Sequence, residues 1–167
     1  MTLLSRAQQI KNETVTSANT ANRVGSLFED IVRAASGRLS YFNQSAISLT
    51  ENVAQKLDLN WNVSREVNVD CDADNNEIKV LTDGEYSCYG MITFTGSSNT
   101  RYDIELRKNG VVICNCNPQT ELPQGREANL VSFDISDFEE GDALSLWIKS
   151  SKTESINIQR AKLVIKK

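Results

Sequence analysis

The residues able to do chemistry are few, and their spacing suits none of the usual sites. Cys71, Cys88, Cys114 and Cys116 stand in a chain with no histidine. A zinc site would therefore need all four thiolates, and no CxxC pair is present to start one. Cys114 and Cys116 would share one face of a strand, and the four thiols read better as small apolar residues. Asp70, Asp72 and Asp74 alternate as in a calcium loop. The glycine expected next is Asn75, however, and the bidentate glutamate position falls on Leu81, which leaves an ordinary acidic turn. Without histidine the common proton shuttle near neutral pH is missing, as are histidine triads. Glu139-Glu140 and Glu29-Asp30 are carboxylate neighbours whose side chains point apart in a strand or helix. Gly96-Ser97-Ser98 lacks the lysine and helix of a phosphate-cradling loop. The expectation is a protein that is not an enzyme, with no cofactor and no metal.

Composition points the same way. The 167 residues are 40% hydrophobic and 24% charged, with a net charge of −4, enough for one domain plus an arm. That acidic balance argues against a nucleic-acid partner. The basic residues are scattered, apart from Lys162, Lys166 and Lys167, which read as a solvated terminus. No apolar run approaches the roughly 20 residues of a membrane-spanning helix, so no membrane insertion is expected. Leu3 and Leu4 run straight into Ser5 and Arg6, which leaves no signal-peptide core and predicts synthesis in a cytoplasm.

These residues divide between a helical front and a β-patterned remainder. Asn19 or Thr20 can cap a helix over about 20–36, with Val24, Leu27, Phe28, Ile31, Val32 and Ala35 along one face and Gly37 as terminator. Gly25 costs such a helix about 1 kcal/mol against alanine, which makes sense where another backbone comes close. The helix either packs on its own domain or docks on something else. Downstream, alternation predicts strands in 40–50, 55–63 and 65–69, then a polar loop over 70–77. The longest strand runs from Glu85 to Thr95, followed by Arg101 to Arg107 and a return from Val111. Asn109-Gly110 is a type I′ hairpin signal. Both prolines fall in the loop 117–128. Strands follow over 129–135, 143–150 and 155–166, with Leu144, Leu146 and Ile148 on one side and Trp147 on the other. Short strands separated by frequent turns predict an antiparallel sandwich or jelly roll.

The stretch from Ile10 to Val32, IKNETVTSANTANRVGSLFEDIV, resembles a segment found in virion proteins of tailed bacteriophages. The resemblance lies in Glu13-Thr14, Asn19-Thr20, Arg23-Val24-Gly25 and Phe28 to Ile31. It implies a virion-attachment arm over 1–38, a partner among phage capsid or tail proteins, and a virion location after assembly in the host cytoplasm.

Three further pieces, Gly84-Glu85-Tyr86, Leu106 to Gly110 and Phe138 to Asp142, resemble in order the jelly roll of the tumour-necrosis-factor (TNF) and complement globular-head families. That resemblance implies a TNF-like head over 39–167 and a homotrimer around an apolar axis. Tyr89 and Met91 are the first candidates to line it and Trp147 a secondary one; alternatively all three lie in the core or are singly exposed. The combined expectation is a short trimeric head or tail fibre or decoration protein, whose loops could meet host-surface glycans. The alternative is a trimeric TNF-like or lectin-like ligand attached to no virion.

Overall fold

The computed structural model describes residues 35–114 and 127–167, with the backbone of Thr120–Glu121 between them. The period-2 apolar pattern becomes thirteen strands among these residues. They are β1 (Ser36–Tyr41), β2 (Ser45–Leu49), β3 (Gln55–Lys56), β4 (Asn62–Val67), β5 (Val69–Asp72), β6 (Glu77–Val80), β7 (Gly84–Thr95), β8 (Arg101–Lys108), β9 (Val111–Val112), β10 (Thr120–Glu121), β11 (Glu127–Phe138), β12 (Ala143–Ser150) and β13 (Glu154–Lys166). One sheet runs β11-β7-β13-β1-β4, with β2 also on β13. The other runs β10-β8-β12-β6-β5, with β3 on β12 and β9 on β8. Neighbouring strands in both ladders are antiparallel.

The core lies between the sheets. Tyr86, Ile92 and Phe94 of β7 meet Tyr102, Ile104 and Leu106 of β8 and Leu144 of β12, all fully buried. The Phe94 and Tyr102 rings stand edge to face, 4.8 Å between centroids. Gly90 of β7 faces the other sheet closely: a Cβ there would lie 2.6 Å from Leu146 Cδ1 and 3.0 Å from Leu106 Cδ2.

Most strands fall where the alternation puts them. Leu57, Leu59 and Trp61 are buried together, although only Gln55–Lys56 of that stretch pairs as a strand before β4 begins. The expected strand over 40–50 divides into β1 and β2, which pair one after the other along the same side of β13, away from β7. The polar loop over 70–77 contains the ends of a hairpin, β5 to β6. Asn109 and Gly110 take φ values of 50° and 79°, as a type I′ turn requires.

One expectation needs correcting at the front of the sandwich. Gly37 ends no helix; it lies inside β1, which begins at Ser36, ahead of the expected boundary at 39. Its Cβ would come within 2.8–2.9 Å of Val69, Cys71 and Ile78, so the glycine answers to close packing rather than capping. The rest of the expected helix lies outside the described residues.

Each end of the sandwich is tied. At one pole the Lys167 amide donates to the Ala35 carbonyl (3.0 Å), while the Lys167 ammonium donates to the Asp83 carbonyl and lies 5.6 Å from the centroid of the Tyr86 ring. At the other pole the Ser97 amide donates to both Tyr102 Oη (2.9 Å) and Glu154 Oε2 (3.0 Å), and Ser150 Oγ donates to Glu154 Oε1 (2.7 Å).

Candidate functional site

The expected virion-anchor residues, Glu13 through Ile31, lie outside the described residues, as does most of the loop over 117–128. Tyr89, Met91 and Trp147 are all described, and the structure separates them. Tyr89 and Met91 lie on the outer face of the β11-β7-β13-β1-β4 sheet. Trp147 lies on the outer face of the other sheet and shares no surface with them.

Trp147 belongs to a face that satisfies itself. The Arg107 guanidinium stacks 4.2 Å above its ring and pairs with Glu105 at 2.5 Å, while Trp147 Nε1 donates to Ser145 Oγ at 2.9 Å. Lys56, opposite Trp147 in the ladder, pairs with Glu77 at 2.8 Å. Such a face has its charges neutralised and its aromatic ring covered.

The outer face bearing Tyr89 and Met91 is different in kind. On the edge strand β11 the outward residues are Val131, Phe133 and Ile135, exposed by 41%, 51% and 53%. Phe133 stands opposite Tyr89, and Val131 opposite Met91. On the far side of β7, Tyr89 is opposite Val164 of β13. On the inward side of β11, Ala128, Leu130, Ser132 and Phe138 are buried, with Asp134 and Ser136 half-buried among them. A strand that turns its aliphatic and aromatic residues outward, beside a partly buried tyrosine and methionine, forms a continuous apolar patch of the kind that marks an interaction surface.

The acidic turn is structural. Asp72 accepts hydrogen bonds from the Asn75 amide (2.9 Å) and from Asn75 Nδ2 (2.7 Å), and pairs with Lys79 at 3.1 Å. The Asn75 side chain is the first cause holding its carboxyl down at about 2, with the Asn75 amide and Lys79 adding to it. These bonds tie Asp72 to its own turn and to β6. Cys71, Cys88 and Cys114 are buried; burial pushes the thiols of Cys71 and Cys88 up to about 11 and about 12. Cys116 lies outside the described residues. No grouping of three or more potential metal ligands occurs among the described residues.

No family model matches the sequence, and no curated protein does. Solved structures do match in fold. The Eiger TNF of S. frugiperda superimposes with a TM-score of 0.52 at 11% identity, over 80% of this chain and 92% of that one. Murine APRIL superimposes with a TM-score of 0.54 at 13% identity, over 81% of this chain and 99% of that one. At such identities the likeness establishes the fold, a TNF-like antiparallel jelly-roll sandwich, and not the activity.

Proposed function

We propose that the protein is a homotrimeric, non-enzymatic binding module of TNF-like fold, acting as a ligand for a partner that its exposed loops contact. The observation carrying this reading is the outward apolar strip of Val131, Phe133 and Ile135 beside Tyr89 and Met91. Complete burial of one such side chain contributes about 1.5–3 kcal/mol, so a head-to-tail contact that buries this strip against the next copy and closes a ring of three has enough driving force for stable association. On the opposite sheet Trp147 is covered by Arg107, and Lys56, Lys79 and Arg107 are paired with carboxylates. Three copies joined this way act multivalently, and modest contacts per copy become durable attachment.

The fold comparisons lend their weight to this module by itself. Attachment to a phage head or tail through residues 10–32, and contact with host-surface glycans, rest on the residue pattern of that segment and on architecture alone. The reading is tested by light scattering of the full chain. A particle three times the 18.6 kDa chain mass is expected, and a monomer across micromolar concentrations would overturn it.

A further inference from the structure

Beside the apolar strip the same outer face gathers cations that look scattered along the sequence. Arg38 of β1 and Arg65 of β4 are direct cross-strand partners. On the other side of β1, Lys166 stands opposite Ser36 and Lys162 opposite Ser40. Like charges opposed across a ladder repel. Among the described residues none of these four makes an ion pair, although carboxylates outnumber cations in the chain, 22 to 18. On the other sheet Lys56, Lys79 and Arg107 each have a carboxylate partner.

The cluster also has a cavity. A cleft of about 210 Å³ is lined by Ser36, Gly37, Arg38, Arg65, Val164 and Lys166. Arg65 Nε donates to Ser36 Oγ at 2.5 Å, which orients the guanidinium across β1 towards the cleft. The volume is several times the ~30 Å³ that one water occupies, room enough for a tetrahedral oxyanion and its remaining hydration.

We propose that this cleft binds a sulfate- or phosphate-type oxyanion, held by the N–H groups of Arg38 and Arg65, with Lys166 as an added point charge. Planar guanidinium groups match such anions with paired N–H···O bonds, which an ammonium cannot do. The anion neutralises the Arg38–Arg65 repulsion, so binding and stability are coupled. The same chemistry is offered by free inorganic anion and by sulfate esters along a polysaccharide.

The test is calorimetric titration of the full-length protein with sodium sulfate, at ionic strength held constant with chloride. Three proteins are compared: wild type, R38Q/R65Q, and K152Q as a control at an exposed lysine elsewhere. Saturable binding is expected in wild type and K152Q, weakened by roughly tenfold or more in R38Q/R65Q, with the light-scattering mass unchanged. A sulfated oligosaccharide that binds more tightly than inorganic sulfate and loses the same factor identifies the polymer as the source; equal affinity per sulfate identifies the free anion. R38Q alone, without anion, should raise the melting temperature by relieving the repulsion. The proposal is overturned if sulfate does not saturate, if it acts equally on R38Q/R65Q, or if that variant changes the oligomeric mass, which would place the arginines in a subunit contact.

Discussion

Phe133 stands directly opposite Tyr89 across the β11–β7 ladder, yet 51% of its surface is exposed. A cross-strand aromatic pair on an outer sheet face can hold a partner as well as its own sheet. Phe133→Ser should therefore release monomers with little loss of fold, since the side chain supports no core residue. Light scattering should show the mass fall to that of one chain at micromolar concentration, with the far-ultraviolet dichroism kept.

Trp147→Phe should leave the mass unchanged. The ring is held on the opposite sheet by Arg107 and Ser145, so its loss should cost about 1 kcal/mol of stability. Denaturant unfolding monitored by dichroism measures this directly.

Gly90→Ala should destabilise by about 1–3 kcal/mol. The added methyl would reach Leu146 Cδ1 at 2.6 Å and Leu106 Cδ2 at 3.0 Å, and relief requires the two sheets to part or both leucines to change rotamer. Calorimetric unfolding should show the lower melting temperature.

Asp72 gives a pH dependence of known sign. Its folded carboxyl is held at about 2 against an ordinary 3.8, so its contribution is present above pH 3.8 and is lost as the pH falls towards 2. Asp72→Asn removes the titration, and the stability of that variant should fall less steeply between pH 4 and 2. Equal slopes in acid-unfolding curves of the two proteins would count against the turn geometry.

The thiols should be inert in the folded protein. Burial keeps Cys71, Cys88 and Cys114 out of reach and raises the pKa of Cys71 and Cys88, and only the thiolate reacts. At pH 8 Cys71 and Cys88 should not react with Ellman's reagent before denaturation, and both should react after it.

The sandwich was legible wherever one face of a strand is buried and the other wet. Leu144, Leu146 and Ile148 sit inward against Trp147 outward because β12 obeys that rule. The rule does not separate the faces of β11, where Leu130 and Phe138 turn into the core while Val131, Phe133 and Ile135 turn outward. Periodicity ranks the faces of a strand by polarity; it does not say whether the apolar face meets the chain's own core or another surface. Gly37 was misread for a related reason. Local sequence shows that a glycine follows an apolar run, but not that Val69, Cys71 and Ile78 crowd it from a distant part of the chain. The basic cleft was invisible in one dimension, because β4, β1 and β13 bring Arg65, Arg38 and Lys166 together only by pairing.

The join between Ala35 and Lys167 has a mechanical consequence. Strands β1 and β13 are antiparallel neighbours, with Ser36 opposite Lys166 at the same pole. Tension applied between these two points loads the ladder like a zipper, one rung at a time, and not in shear across all rungs together. A load carried from Ala35 into the body of the sandwich would first peel β1 from its neighbours, and the force at which the fold yields would be set by its weakest rung.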